Sequence, residues 1–227
     1  GFQTIIDGNK FESVSVNLRT EDIPEGVNNL LIAAPNIDYT AEEIAKIDAF
    51  LTTPGNNVYV FWNGDLAQKL PVLERFLSDW GMAVGESVIL DQERAFSSPV
   101  MPVGELQQND VTQKIQATQQ LYLSPQTHPI TILWEEKSYT RTLPLVVSSS
   151  SSYGRVLSAN ANISDARKDN EPKGPFCMAA VGEKNVQKSD GEIESNRVFL
   201  FGSNYMADES ITGISISINN TLLNTAV

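Results

Sequence analysis

The sequence predicts an α/β fold in which a mostly parallel sheet is flanked by helices and carries an antiparallel hairpin at its edge. Residues 30–34 form an unbroken apolar run, which is typical of a strand buried on both faces of a parallel sheet. A helical pattern and a second apolar run, residues 58–62, follow it, and a strand–helix–strand unit of this kind is almost always a right-handed parallel crossover. Two late apolar runs, residues 175–181 and 197–202, lie on either side of a polar stretch and predict the hairpin.

The helix of the crossover has clear start and stop signals. Thr40 and Glu43 have the spacing of a capping box, in which the hydroxyl and the carboxylate each bond a free backbone N–H. Ile44 and Ile47 follow at helical spacing, and the Pro54-Gly55 pair ends the unit.

A second helix is predicted over residues 70–80, because its apolar residues share one face and Gly81 follows at the usual C-terminal position. Alternation over residues 13–18 predicts another strand, and residues 86–90 predict a third strand of the sheet. We expect one domain over residues 1–227, with a less regular inserted region at 92–142, a mobile loop at 183–195 and the start of a helix at 217–227.

Composition excludes several classes of protein. The net charge is −12, and no cluster of Lys and Arg forms a basic surface, so binding to nucleic acid or to an anionic membrane surface is disfavoured. The sequence contains no apolar run long enough to cross a bilayer. It begins at Gly1 and stops at Val227 within an amphipathic pattern, which suggests the soluble part of a longer chain.

The sequence offers few residues for catalysis, and we expect no catalytic residues, no metal and no cofactor. Cys177 lies inside an apolar strand pattern and is interpreted as a core residue. His128 is the only histidine and precedes Pro129, a position that favours a structural role. One His and one Cys cannot supply the three or four ligands of a zinc site. No phosphate-binding glycine motif follows a strand, and the loop at residues 35–40 lacks the Ser/Thr-rich character of a flavin phosphate site.

Polar and aromatic residues follow the predicted strands where an open α/β sheet would bind a ligand. Amide, carboxylate and aromatic groups together suit a sugar or a peptide, although turns and helix caps use the same residues for structural reasons. The candidate ligand-binding residues are Asn36, Asp38, Trp62, Asn63, Asp65, Ser203, Asn204, Tyr205 and Asp208.

Four stretches in order carry a resemblance to a known family: residues 30–51, residues 55–61, residues 173–176 and residues 197–206, with 219–224 beyond. Together they resemble the extracytoplasmic domain of bacterial ABC-transporter auxiliary proteins related to the gliding-motility component. The resemblance covers most of residues 15–227, and Asn56 departs from it, because family members often have a second glycine after Gly55. It implies a flavodoxin-like or glutamine-amidotransferase-like sheet, anchorage through terminal transmembrane helices and no established catalytic residues.

The leading hypothesis is therefore a non-catalytic extracytoplasmic domain of an ABC-transporter auxiliary subunit. It would contact the permease and ATPase subunits or other cell-surface proteins, or bind a sugar or peptide substrate. The alternative is a hydrolase or transferase on an amidotransferase-like scaffold, which would need Cys177 or a serine beside His128.

Overall fold

A computed structural model describes residues 2–8, 10–65, 69–113, 115, 121–157, 162–214, 217, 219 and 221–222. Most of the regular structure is β. The strands are β1 (Asn29–Ala33), β2 (Asn57–Phe61), β3 (Met82–Val84), β4 (Val88–Leu90), β5 (Val103–Leu106), β6 (Tyr122–Leu123), β7 (Ile130–Ile132), β8 (Glu136–Lys137), β9 (Thr140–Val147), β10 (Tyr153–Arg155), β11 (Cys177–Gln187) and β12 (Ile193–Phe201).

The helices are short and few. They are α1 (Phe2–Gly8), α2 (Ala41–Phe50), α3 (Pro71–Asp79) and α4 (Glu209–Thr212), with a 3-10 turn at Asn204–Ala207. None of the helices in the described ranges has both the length and the apolar composition needed to span a bilayer. Residues 219, 221 and 222 are helical, and the rest of the helix predicted at 217–227 lies outside the described residues, apart from Ser217 in an isolated bridge.

The main sheet is mixed and strongly curled, with the strand order β1-β2-β12-β11-β9-β5-β6. Among its paired strands only β1–β2 and β2–β12 are parallel in the described chain, and the other pairs are antiparallel. The predicted mostly parallel, flavodoxin-like or glutamine-amidotransferase-like sheet is therefore wrong. Residues 92–142 supply part of the reason, since they contribute β5 to β8 and the start of β9 to antiparallel pairs.

The prediction failed because the apolar runs report burial and not strand direction. The central strands are covered on both faces by separate hydrophobic clusters. On β2, Val58 and Val60 pack into one cluster, while Tyr59 and Phe61 pack into the other. An antiparallel strand buried in this way, such as β11, has the same unbroken apolar pattern as a strand of a parallel sheet.

The predicted strand–helix–strand unit is confirmed. β1 and β2 pair in parallel, with Asn29 opposite Asn57 and Ala33 opposite Phe61, and α2 connects them. The capping box that begins α2 is also formed: Glu43 N–H donates to Thr40 Oγ1 at 3.2 Å, and Thr40 N–H donates to the Glu43 carboxylate at 2.7 Å. Local sequence signals therefore predict the β1–α2–β2 unit correctly.

Other predicted elements need correction. β11 and β12 pair antiparallel as predicted, but they lie in the interior of the sheet between β9 and β2 rather than at its edge. Most of the loop predicted at 183–195 is the outer part of this hairpin, with strand to Gln187 and again from Ile193. Residues 13–18 form no strand in the structure, and β4, within the predicted third strand, pairs with β10 in a separate two-stranded sheet.

Candidate functional site

Three neighbouring parallel strands, β1, β2 and β12, end side by side, so their carboxyl ends lie next to each other. Ala33 lies opposite Phe61, and Phe61 lies opposite Phe201, so the three strands end at the same level. The segments that follow these strands contain the candidate residues from the sequence. The structure joins the segments after β2 and β12 to each other, whereas the segment after β1 lines a separate groove.

Two of the segments are held to each other by hydrogen bonds. Asn204 N–H donates to the Trp62 carbonyl at 2.7 Å, and Gly64 N–H donates to Asn204 Oδ1 at 3.1 Å. The Tyr205 hydroxyl donates to the Asp65 carboxylate, and this bond is the main reason that the pKa of Tyr205 is raised. The loops after β2 and β12 therefore form one hydrogen-bonded unit.

Three candidate residues serve turns and caps. The side chains of Asn63, Ser203 and Asp208 each accept a hydrogen bond from the backbone N–H two residues further along the chain, at 3.0, 3.1 and 2.8 Å. Ser203 caps the 3-10 turn and Asp208 caps α4, and the bonds to Asp208 lower its pKa. These hydrogen bonds within turns and helix caps explain why Asn, Ser and Asp occupy the three positions.

Asp38 caps a helix that is distant in sequence. Its carboxylate accepts hydrogen bonds from Val72 N–H at 2.9 Å and Leu73 N–H at 3.1 Å, at the start of α3, and from Tyr39 N–H at 2.9 Å. Asn36 lies beside Asp38 on a separate groove of about 340 Å³, next to β1. The structure therefore places Asn36 and Asp38 together on this groove.

A larger cavity, of about 540 Å³, opens beside the loop that follows β2, and we call it the crevice cavity. Trp62 and Asp65 are the two candidate residues that line it. Its lining is Trp62, Gly64, Asp65, Lys69, Glu74, Val84, Gly85, Glu86, Val88, Gln126, His128, Val156 and Leu157.

The charged groups of the crevice cavity are partly paired with each other. Lys69 Nζ lies 2.8 Å from a carboxylate oxygen of Glu86, and this hydrogen bond raises the pKa of Lys69 and lowers the pKa of Glu86. Glu74 accepts a hydrogen bond from Leu70 N–H at 2.9 Å, at the start of α3. With Asp65, the lining holds three carboxylates and one ammonium group, so its charge is negative.

His128 is buried at the inner side of the cavity and bridges two loops. Its Nδ1 lies 3.0 Å from the Gly85 carbonyl oxygen, and its Nε2 lies 3.4 Å from the Gly64 carbonyl oxygen. Its backbone N–H donates to the Gly202 carbonyl at 2.8 Å. The ring therefore contacts backbone carbonyls on both sides, which matches the structural role that the sequence favours.

Cys177 is the first residue of β11, and its thiol donates to the Ala179 carbonyl at 3.1 Å. Burial raises the pKa of the Cys177 thiol to about 12, so it stays protonated at neutral pH. A nucleophilic cysteine needs the opposite shift, usually from a neighbouring base. The ring nitrogens of His128 face the carbonyl oxygens of Gly85 and Gly64.

Sequence reasoning missed most of the lining of the crevice cavity. Lys69 and Glu86 belong to the segments before α3 and before β4, and Val156 and Leu157 follow β10. Val156 is 65% exposed and Leu157 is 37% exposed, although both are apolar. Nothing local in the sequence connects these segments, because the fold alone places them around one opening.

The described part of the chain contains no group of three or more His, Cys, Asp or Glu side chains arranged to hold a metal ion. The carboxylates of the crevice cavity are instead bonded to Lys69, to Tyr205 and to the backbone at the start of α3. What the cavity offers a ligand is hydrogen bonding, negative charge and apolar contact.

Comparison with known proteins supports the fold. No protein-family model and no curated protein matches the sequence. Five solved chains match the structure, among them one described as the mmIFT52 N-terminal domain, with a TM-score of 0.66 and 12% sequence identity. This match covers 100% of the chain and 89% of that domain, so the two share an architecture over their length. At this identity the likeness shows the fold alone.

Proposed function

We propose that this chain is a non-catalytic extracytoplasmic domain of an ABC-transporter auxiliary subunit, and that it binds a peptide or sugar substrate in the crevice cavity. One observation carries the binding proposal: the parallel strand β2 ends at a cavity of about 540 Å³ that combines charged, polar, aromatic and apolar groups. Its volume lies within the range typical of small-ligand sites, and the carboxyl end of a parallel strand is where such sites form.

The chemistry of the lining favours a short peptide with a cationic side chain. Asp65, Glu74 and Glu86 outnumber Lys69, and each carboxylate keeps hydrogen-bonding capacity beyond the contacts described above. Val156 and Leu157 present apolar surface at the same opening, where side chains that flank the cation can pack. A neutral sugar would use the polar groups and leave this apolar surface unused.

The state of the candidate nucleophile supports a non-catalytic role. The Cys177 thiol is held protonated by burial and bonded to a backbone carbonyl, and His128 contacts two glycine carbonyls. A hydrolase or transferase would need a base within about 3 Å of its nucleophile. These contacts of Cys177 and His128 support the non-catalytic proposal over an enzyme that uses this cysteine.

The assignment to an ABC-transporter auxiliary subunit rests on the ordered sequence motifs at residues 30–61 and 173–206. Under this proposal the full-length protein is attached to the cytoplasmic membrane, the domain faces outward, and the permease and ATPase subunits are its partners. Its charge of −12 is compatible with contact to a basic protein surface.

Ligand binding is tested by calorimetry and thermal shift with three probes: the tripeptide amides Leu-Lys-Leu and Leu-Glu-Leu, and maltose. We expect Leu-Lys-Leu to bind, and at 100 times its Kd it should stabilise the fold by roughly 2.7 kcal/mol. Glu86→Gln should weaken this binding about fivefold or more, since it removes one carboxylate and leaves Lys69 unpaired. Glu93→Gln is the matched control, because Glu93 is exposed and lies outside the cavity lining. A flat response to all three probes would show that the cavity is not a peptide or sugar site.

The subunit assignment needs a separate experiment on the full-length protein in its own cells. Affinity purification from detergent-solubilised membranes should recover one ATPase and one permease subunit in constant proportion. Recovery of the protein from the soluble fraction, without components of a transporter, would contradict the assignment. It would leave the result for the crevice cavity unaffected.

A further inference from the structure

The two edge strands of the main sheet, β6 and β1, differ in how their outward backbone groups are hydrogen-bonded. At the β6 end, the side-chain amide of Asn219 closes the strand edge: its Oδ1 accepts from Leu123 N–H at 3.0 Å, and its Nδ2 donates to the Leu123 carbonyl at 2.6 Å. Leu121 also forms a parallel bridge with Ser217. At the other end, β1 pairs with β2 alone among the described strands.

The outward backbone groups of β1 can be identified from two backbone hydrogen bonds that flank the strand. Asn57 N–H donates to the Asn28 carbonyl at 2.8 Å, and Ala34 N–H donates to the Phe61 carbonyl at 2.9 Å, so the even-numbered residues of β1 bond to β2. Backbone groups alternate in direction along a strand, and the odd-numbered residues therefore point away from the sheet. These outward groups belong to Asn29, Leu31 and Ala33.

Within β1 itself, three of the features that usually protect an edge strand are absent. Natural edges are blunted by charged side chains, proline or a bulge. The strand reads Asn-Leu-Leu-Ile-Ala, and its register with β2 is unbroken over all five residues. Leu31, at its centre, is 39% exposed.

Space for another strand lies beside this edge. The groove of about 340 Å³ separates β1 from residues 16–19, and these residues form no backbone hydrogen bond to β1 in the described structure. Leu31 and Ile37 present apolar surface along the groove, and Ile37 is 64% exposed. We call this site the β1 groove.

We propose that the β1 groove binds an extended segment of a partner protein, which adds to the sheet as a strand beside β1. In this mode of recognition, main-chain hydrogen bonds supply affinity and alternate side chains supply specificity. The partner strand is apolar at alternate positions, where it packs on Leu31 and Ile37. This proposal is independent of ligand binding in the crevice cavity.

Charge identifies the partner as basic and different from this chain. The turn before β1 exposes Glu21, Asp22 and Glu25, and the two cations beside it, Arg19 and Lys46, are each paired with a carboxylate, that of Glu43 and that of Asp22. Two copies of a chain with a net charge of −12 repel each other, which disfavours pairing of β1 with a second β1. A basic residue beside the apolar positions of the partner strand would meet the acidic turn.

The test uses three fluorescent peptides of the same length on the wild-type chain. Lys-Val-Thr-Val-Thr-Val-Lys should bind saturably, and Glu-Val-Thr-Val-Thr-Val-Glu should bind about tenfold more weakly or not at all, because its charges are reversed. In the third peptide, the lysine version is N-methylated at all five internal residues, which removes the internal donors on both edges, and it should not bind. Amide hydrogen exchange at Leu31 and Ala33 should slow by about tenfold or more in the first complex, because these outward N–H groups become bonded.

Leu31→Pro is the decisive variant. Its N–H points away from the sheet, so proline at this position removes an outward donor without breaking the ladder with β2. We expect the lysine peptide to bind Leu31→Pro about tenfold more weakly, and Leu31→Ala only about two- to threefold more weakly, because alanine keeps the donor.

Two kinds of result would overturn the proposal. One is that the lysine peptide shows no saturable binding, or that N-methylation leaves its binding unchanged. Both measurements use the wild-type chain, so they do not depend on whether Leu31→Pro folds. The other is a dimer of the wild-type chain in sedimentation experiments that Leu31→Pro converts to a monomer. That result would make a second copy the occupant of the groove.

Discussion

The side-chain amide of Asn196, on β12, accepts a hydrogen bond from the backbone N–H of Gly55 at 2.7 Å. The same amide donates to the carbonyls of Leu51 and Thr53 at 2.7 and 2.8 Å, and Asn196 is fully buried. One residue of the late hairpin thus satisfies three backbone groups of the turn between α2 and β2. This contact connects the crossover unit to the centre of the sheet.

Replacing Asn196 by alanine should destabilise the fold by about 2–4 kcal/mol, because one buried and two part-buried hydrogen bonds to the backbone would be lost at once. Urea unfolding measures the loss. Asn185→Ala on the same hairpin is the control, since Asn185 is exposed, and its cost should stay below about 0.5 kcal/mol. Equal costs for the two variants would contradict the role assigned to Asn196.

Arg155 holds the segment that precedes β11. Its guanidinium bonds to both carboxylate oxygens of Glu171, at 2.5 and 2.9 Å, and to the carbonyls of Asn162 and Ala166 at 2.7 and 3.0 Å. Arg155→Met should cost about 3 kcal/mol, because it leaves a largely buried carboxylate without its partner. Adding Glu171→Leu should recover part of that loss in the same urea titration. A double variant that is less stable than Arg155→Met would show that the carboxylate has other essential contacts.

The same pair predicts a dependence of stability on acid pH. The hydrogen bond from Arg155 lowers the pKa of Glu171 in the folded state below its unfolded value of about 4.3. A carboxylate whose folded pKa is lowered stabilises the fold above its unfolded pKa, and it loses this contribution as the pH falls through the folded pKa. The stability difference between wild type and Glu171→Gln should therefore shrink as the pH is lowered from about 6 towards 3. In an Arg155→Met background the same substitution should show a much weaker dependence on pH, and an unchanged slope would contradict this origin.

Gly182 allows β11 to pass close beneath the end of α3. A Cβ atom on this residue would lie 2.5 Å from the Trp80 carbonyl oxygen, which belongs to the backbone and cannot move aside cheaply. Gly182→Ala should destabilise the chain by about 1–3 kcal/mol through this overlap. Gly8→Ala is the control, because a Cβ there meets no atom within 4 Å, and its effect on the thermal midpoint should be small.

The Cys177 thiol should resist modification in the folded chain. Its pKa of about 12 leaves a thiolate fraction on the order of one in ten thousand at pH 8, and the thiolate is the reactive form. Ellman's reagent should therefore react slowly with native protein and completely in denaturing urea. Fast, stoichiometric reaction of the native chain would contradict the raised pKa of the thiol and would favour a catalytic role for Cys177.

Local sequence predicted the elements whose signals lie within one or two turns of chain. The capping box of Thr40 and Glu43 begins α2, and α3 is formed within residues 70–80. Gly81 adopts a φ of 81°, a conformation that glycine takes without strain, and it ends that helical segment. These features depend on residues that are close in sequence, so they can be predicted without knowledge of the rest of the fold.

The candidate site was predictable only in part. Trp62 and Asp65 follow the end of β2, and the structure places both on the crevice cavity. Asn36 and Asp38 follow β1 in the expected way but line the β1 groove instead, and Asp38 is used to cap α3. Which opening a loop residue faces depends on how distant segments pack, and no local pattern encodes that packing.

The sequence by itself determined that the central strands would be buried on both faces and that α2 would connect two parallel strands. Only the tertiary structure decided the direction and neighbours of the remaining strands, including the central place of the β11–β12 hairpin. The physical reason is that an apolar run records how much of a strand is removed from water, and both directions of pairing remove the same surface. Whether a strand pairs in parallel or antiparallel depends on which other strand the chain connectivity places beside it. In this protein, residues 92–147 supply strands that pair antiparallel.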